Sequence, residues 1–380
     1  MNKFLKRLLG KLFLFSAKLL KVCCIIQPKV LPKVVNEKLL EAYGYTLKPL
    51  WGEYPKLSLA TKDVSIIIPC YNAERDLKRL LDSALNQQTT CKYEVIAIDD
   101  GSSDGTLALL KDYASHYSNL LVCHQENGGA AKARNKGIEM MTGEYVGFAD
   151  SDDYLSQDFI EMLYTKARKY NADMVQCGYS ATTPFGTQKV YATPEKVMSI
   201  QDEEERSRLV SGFVWHSLYH RSCFEKVRFP EHFYYEDMIN RMVFMRILSK
   251  IVTINDVLYY KCYKEDSAYV HQTRRCFDAQ KIDQLWLAKK FLVFTQELGF
   301  PVNNAQYRQL LREWGGLLWL RTRGLGRRCQ RDLFNLAASY IGELNYECTK
   351  LTDIEKTIDD ALKSRNYYVW MLTSIASKLL

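Results

Sequence analysis

No run of about 20 consecutive apolar residues occurs in the 380-residue sequence, so no segment reads as a transmembrane helix. Pro-rich and Gly/Ser-rich tracts, short tandem repeats and heptad arrays are also missing, which argues against collagen-like, solenoid and coiled-coil architectures. The 11 cysteines form no CxxC or CxxC…HxxxH spacing and are too dilute for a secreted disulfide scaffold. A reducing cytoplasm is the expected compartment. Neither a Gly-x-x-x-x-Gly-Lys-Ser/Thr loop nor a Gly-x-Gly-x-x-Gly after the first strand is present, so a P-loop nucleotidase and a dinucleotide-binding domain are both unsupported. His216 and His220 stand four apart, but FVWHSLYH has the aromatic and β-branched content of a strand. On a strand the pair lies too far apart to chelate a metal simply.

Acids are missing from one end. The first is Glu37, whereas residues 1–33 carry Lys3, Lys6, Arg7, Lys11, Lys18, Lys21, Lys29 and Lys33. The formal net charge is +8, so residues 34–380 sum to zero and a basic nucleic-acid-binding body is not supported. What remains is ordinary globular composition, 47% apolar and 25% charged.

MNKFLKRLLGKLFLFSAKLLKVCCII begins like a signal peptide, yet Lys11, Lys18 and Lys21 interrupt every apolar run and no Ala-x-Ala-like cleavage site follows. Wound as a helix, its cations from Lys3 to Lys21 fall within an arc of roughly 140°. Leu5, Leu8, Leu9, Leu12, Phe15, Leu19 and Cys23 take the opposite side. Such a helix either packs on the protein's own core or lies on anionic lipid. The lack of any acid favours an anionic membrane surface, met through residues 1–26. Pro28 and Pro32 are expected to end the segment, and residues 34–61 read as a linker with a short helix.

From Val64 short apolar runs alternate with helical patterns. VSIIIP (64–69), YEVIAIDD (93–100), NLLVCH (119–124), EYVGFAD (144–150) and ADMVQC (172–177) read as strands, separated by amphipathic helices. This is an α/β pattern with parallel pairing, and ligands in such sheets sit beyond the carboxyl ends of the strands. There the sequence reads Pro69-Cys70-Tyr71-Asn72, then Asp99-Asp100-Gly101-Ser102-Ser103-Asp104, then Asp150-Ser151-Asp152-Asp153. Asp104 reads as the cap of the following helix. Carboxylates gathered at two strand ends repel unless a cation or hydrogen-bond donors compensate. An Asp-x-Asp of this kind suits Mg²⁺ or Mn²⁺, with substrate phosphates completing the shell.

VSIIIPCYNAERDLKRLLDSALNQ, EVIAIDDGSSDGT and ENGGAAKARNKGIEMMTGEYVGFADSDD, in that order and spacing, resemble the family 2 glycosyltransferases, above all the bacterial enzymes of cell-surface polysaccharide synthesis. The resemblance covers about residues 62–265. It implies a GT-A fold, a mostly parallel sheet sandwiched by helices, with a nucleotide-sugar donor and inversion at the anomeric carbon. It assigns Pro69, Tyr71, Asn72, Asp99 or Asp100, and Arg134 to the donor nucleotide, Asp150 to ribose, and Asp152 to the metal-bridged diphosphate. Asn127, Gly128 and Gly129 would let the next helix approach the nucleotide.

Inverting transfer also needs a base for the acceptor hydroxyl. Glu236-Asp237 in FYYEDMINRM matches the family's Glu-Asp signature, which makes Asp237 the expected base; the competing reading is that both acids complement a helix dipole. Trp215 reads equally as an acceptor contact or as core. Where relatives commonly carry Arg, this chain reads Lys261-Cys262-Tyr263-Lys264-Glu265-Asp266-Ser267, which leaves the cation at the diphosphate open.

Residues 279–380 read as four helices with a basic connector at 321–328. The expected organisation is a basic helix over 1–33, a linker over 34–61, a GT-A domain over 62–276 and a helical region over 277–380. The expected protein is a glycosyltransferase, peripheral on the inner face of the cell membrane, that adds a sugar to a glycan or lipid-linked acceptor. A sugar-nucleotide nucleotidyltransferase and a non-catalytic nucleotide-sugar-binding module are the rival readings.

Overall fold

The computed structural model describes residues 3–23, 37–183, 186–263 and 277–379. The expected breaks at Pro28 and Pro32 and the polar stretch 264–267 lie outside them. The chain forms two compact units, Trp51–Ser267, and Met1–Leu50 with Ala268–Leu380. The latter contributes the first element, α1 (Lys3–Cys23), and a 3-10 turn at Glu37–Tyr43.

The α/β unit begins β1 (Lys62–Cys70), α2 (Leu77–Leu85), β2 (Tyr93–Asp100), α3 (Thr106–His116), β3 (Leu120–Gln125), α4 (Gly129–Met140), β4 (Gly143–Phe148). It continues β5 (Tyr154–Leu155), α5 (Phe159–Tyr170), β6 (Met174–Thr182), β7 (Gln188–Tyr191), β8 (Lys196–Ser199), α6 (Glu203–Leu209), β9 (Ser217–His220). A π turn at Asn240–Phe244 then runs into α7 (Met245–Ile247) and β10 (Lys250–Lys261). The strands make one sheet in the order β3-β2-β1-β4-β9-β6-β10-β5, with β7 beside β6 and β8 beside β10.

β3, β2, β1 and β4 are mutually parallel, so their carboxyl ends share one edge. β9 enters antiparallel between β4 and β6, and β10 returns parallel to β6. β1 reads as an unbroken apolar run because both of its faces are covered. Ile66 and Ile68 share a core with Leu77, Leu80 and Leu81 of α2 and with Phe159, Ile160 and Leu163 of α5. Ile67 meets α4 at Gly137, where a Cβ would stand 2.4 Å from Ile67 Cγ2. Any larger residue there would lift α4, and with it Arg134, off the sheet.

His216 and His220 go separate ways. His216 is buried, with Nδ1 against the Cys177 carbonyl and Nε2 against Ser211 Oγ, whereas His220 Nδ1 meets Ser222 Oγ at 2.7 Å.

The helical unit adds α8 (Asp283–Glu297), α9 (Asn304–Leu310), a π stretch at Leu311–Leu317, α10 (Leu318–Arg321), α11 (Gly326–Leu344), α12 (Asp353–Lys363) and α13 (Tyr367–Leu379). Trp370 Nε1 donates to the Trp314 carbonyl at 3.1 Å and Trp314 Nε1 to the Leu285 carbonyl at 3.2 Å, stitching α13, the π stretch and α8 together. The single helix expected from residue 354 to the end divides instead: Arg365 takes a left-handed φ of 54° between α12 and α13. α1 lies along α13 and touches α12.

Burial pulls the His216 pKa down to about 4, against the opposing pull of the Cys177 carbonyl. The folded imidazole is therefore neutral, and stability present above about pH 6.5 is lost as pH falls toward 4, by about 3 kcal/mol in all. Urea unfolding of the wild type and His216→Gln across that window is expected to show this acid-side slope in the wild type and a shallower one in the variant.

Candidate active site

The carboxyl ends of β1 and β2 carry side chains that bind each other's loops. Asn72, in the left-handed region at φ 48°, accepts at Oδ1 from Ser103 N at 2.9 Å, and its own N–H donates to Ser102 Oγ at 3.0 Å. Asp104 accepts from Thr106 N at 3.0 Å and from Glu74 N at 3.2 Å, so it closes the turn before α3 and anchors the β1 loop, whereas the cap position of α3, expected at Asp104, falls on Gly105. Gly101 has φ 72°, and a Cβ on it would stand 2.7 Å from Asn127 N, so only glycine lets these loops meet. Pro69 is half-buried and Tyr71 is 54% exposed beside them, leaving its ring face accessible.

Asp99 and Asp100 divide their work because successive strand residues point to opposite faces. Asp100 accepts from Gly128 N at 2.9 Å, Gly129 N at 2.8 Å and Gln125 Nε2 at 2.7 Å. It thereby satisfies the orphan amides at the start of α4. Asp99 binds His124 Nδ1 at 2.6 Å through Oδ2, and its Oδ1 is buried without a hydrogen bond. A buried orphan oxygen of this kind is costly unless a ligand donates to it.

At the end of β4, Asp150, Asp152 and Asp153 each offer an oxygen within 4.8 Å of the others. Two cations face them. Lys261 Nζ lies 3.6 Å from Asp150 Oδ2 and 3.4 Å from Asp153 Oδ2. Arg134 donates from Nη2 to Asp150 Oδ1 at 3.1 Å and from Nη1 to Glu236 Oε1 at 2.8 Å. Burial works against the Asp150 charge, but Lys261 and Arg134 outweigh it and hold its carboxyl below the usual range. Asp153 is fully buried; its oxygens accept from Tyr259 Oη at 2.7 Å and Cys262 N at 2.8 Å. Burial pushes its pKa up to about 7 despite Lys261, with Asp150 and Asp152 adding to the rise. Asp153 therefore braces the loop against β10, while the backbone carbonyl of Asp152 is held by Arg79 Nη2 at 2.7 Å.

α4 reaches the other way as well. Asn135 donates from Nδ2 to the Phe229 carbonyl and to Glu231 Oε1, both at 2.9 Å, and accepts from Phe229 N at 2.9 Å. The Arg134 guanidinium covers the Phe229 ring at 5.4 Å. Arg134-Asn135 thus clamps the segment leading to Glu236 and the half-buried Asp237. Within that segment His232 and Tyr235 both hold φ 65°, a conformation that persists only where contacts over-determine it.

The profile described as "Glycosyl transferase family 2" matches residues 65–233. Among curated proteins, glycosyltransferase GlyA of Streptococcus pneumoniae is 30% identical over 67% of this chain and 38% of its own length. This chain belongs to the family 2 glycosyltransferases. Glycosyltransferase EpsJ of Bacillus subtilis is 34% identical over 43% of this chain and 49% of its own length. The poly(ribitol-phosphate) beta-glucosyltransferase of Bacillus spizizenii is 29% identical over 54% of this chain and 33% of its own length. The chain therefore spans about a third to a half of these relatives. The crystal structure of S. aureus TarS 1-349 with UDP-GlcNAc shares the GT-A fold at TM-score 0.50 and 19% identity, covering 80% of this chain and 93% of that one.

In this family 2 chain, Trp215 is buried at 4% exposure. Its ring stacks on Tyr259 at 4.5 Å and lies under Lys261 Nζ at 5.0 Å. It supports the residues that face the aspartates. The role of Lys261 was not legible from the motifs, although its place directly after the apolar run of β10 puts it at a strand end. Breaking a buried pair by deleting one partner leaves uncompensated charge. Arg134→Met, which strands Asp150 and Glu236 together, is expected to lower the urea unfolding free energy by about 3 kcal/mol; an unchanged midpoint would remove the clamp from the account.

Proposed function

We propose that this protein is an inverting glycosyltransferase that moves a sugar from a nucleoside-diphosphate donor to a hydroxyl of a cell-surface glycan or glycolipid. The observation that carries the reading is the Arg134 bridge, which ties the strand end bearing Asp150 and Asp152 to the segment bearing Asp237. Transfer needs these two functions close together, one at the leaving diphosphate and one at the attacking hydroxyl.

In this reading Tyr71, Pro69, Asn72 and the buried Asp99 receive the nucleotide, with the unpartnered Asp99 Oδ1 facing a base donor. Asp100 serves the donor only indirectly, by holding the start of α4. Asp150 accepts from ribose. Asp152 would hold Mg²⁺ or Mn²⁺, and the oxygen-only donor set at the end of β4 fits such a hard cation. When bound, the ion would neutralise charge on the departing diphosphate. The Asp237 carboxylate takes the proton of the acceptor hydroxyl as that oxygen bonds to the anomeric carbon. The bond from that carbon to the phosphate oxygen breaks on the opposite face. A nucleoside diphosphate leaves, and the configuration inverts.

Relatives and neighbours support the substrate class by their names, which include poly(ribitol-phosphate) and UDP-GlcNAc. No helix of the described residues is long and apolar enough to cross a membrane, and peripheral attachment at the inner face of the cell membrane is the location we favour.

The test is release of nucleoside diphosphate from a panel of nucleotide sugars with Mn²⁺, using the full chain. Chelation by EDTA is expected to stop turnover and Mn²⁺ to restore it. Asp237→Asn should lower kcat by about 100-fold or more while calorimetry shows donor affinity retained. Normal turnover by that variant would remove the base assignment, and pyrophosphate as the released product would replace transfer by nucleotidyl chemistry.

A further inference from the structure

α1 has two apolar faces. At 100° per residue, Leu9, Gly10, Phe13, Leu14, Ala17 and Leu20 share one side, buried or half-buried along α13. Gly10 and Ala17 are buried, and their small size lets the two helix backbones approach. The packed face therefore overlaps one side of the arc of the lysines. The opposite side carries Leu5, Leu8, Leu12, Phe15 and Leu19, between 45% and 64% exposed. Of the fourteen large apolar side chains exposed among the described residues, five stand in this one line. Scattered exposure is normal in soluble proteins; a continuous stripe is not.

Charge selects the occupant. Lys6, Arg7, Lys11 and Lys18 are exposed on the same helix, which has no acid. Arg7, Lys11 and Lys18 follow one border between the two faces. Lys18 is met by Asp353 at 2.9 Å across the exposed surface. The spacing 5, 8, 12, 15, 19 would also suit a helical seam with a second copy. In that seam Lys11 and Lys18 take the flanking positions, where no acid of another α1 can meet them. Anionic lipid offers an apolar layer and negative charge at one boundary.

We infer that the Leu5-Leu8-Leu12-Phe15-Leu19 stripe of α1 lies in the plane of an anionic bilayer surface, as a helix already folded against α13. This rests on the location proposed above and names the surface, face and lipid charge. Because the helix is preorganised, little chain ordering accompanies binding.

The test is sedimentation of the full chain with vesicles of phosphatidylcholine containing phosphatidylglycerol, against phosphatidylcholine alone, without donor sugar. Wild type is expected to partition at least about tenfold better onto the anionic vesicles. Leu12→Glu/Phe15→Glu should reduce that binding more than about tenfold, with circular dichroism and melting unchanged because both positions are exposed. Helix content of the wild type should be the same on and off vesicles. Equal binding by the double variant, no binding by the folded wild type, or a large gain in helix on binding would overturn the inference. So would a dimer in light scattering that the same substitutions abolish, since a second copy would then occupy the stripe. A chain that binds vesicles yet transfers no sugar would count only against the catalytic reading.

Discussion

The site proposed for sugar transfer hangs on one buried guanidinium. Arg134 stands 6% exposed at the side chain and divides its two terminal nitrogens between Asp150, sixteen residues on, and Glu236, one hundred and two residues on. Burial lowers the stability of its charge, and the two carboxylates more than restore it. Removing either acid would leave the guanidinium under-compensated, so the pair of contacts is cooperative in the sense that each makes the other affordable. The consequence is mechanical: a strand end and a strained loop, far apart in the chain, are held as one surface.

The acidic cluster beside that bridge is sorted by its neighbours. Asp100 is committed to the α4 amides and Asp153 to Tyr259 and the β10 backbone. Asp150 shares Arg134 and Lys261. Three carboxylates at one edge of the sheet thus have three different environments, which is how the acidic strand ends divide between bracing and binding. Lys261, seated on Trp215, supplies permanent positive charge at the place where excess negative charge is most costly.

Much of this was legible before any coordinates. Strands β1, β2 and β4 announce themselves because burial on both faces demands uninterrupted apolar residues, and the acids that follow must then fall at one edge. The carboxylate partners of Arg134 were not legible in the sequence, since they are set by the crossing of α4 over the sheet. Lys261 was hidden for a similar reason: β10 reaches β5 only through the sheet order. The division of α12 from α13 turns on Arg365 adopting a left-handed backbone, for which no glycine or proline gives notice. In α1 the helical wheel found the apolar stripe, but the packed side was masked because Gly10 and Ala17 bury by being small rather than by being greasy.

The central claim is that the bridged strand end and the Asp237 segment form a single site for a metal-bound diphosphate. Crystals of the full chain grown with Mn²⁺ and UDP, with data collected at the manganese absorption edge, address it most directly. The account predicts an anomalous peak within coordinating distance of the Asp152 carboxylate and of the UDP phosphates, with Arg134 still bonded to both Asp150 and Glu236. A peak lying away from Asp152, or an Arg134 side chain turned off Glu236 in the complex, would contradict it.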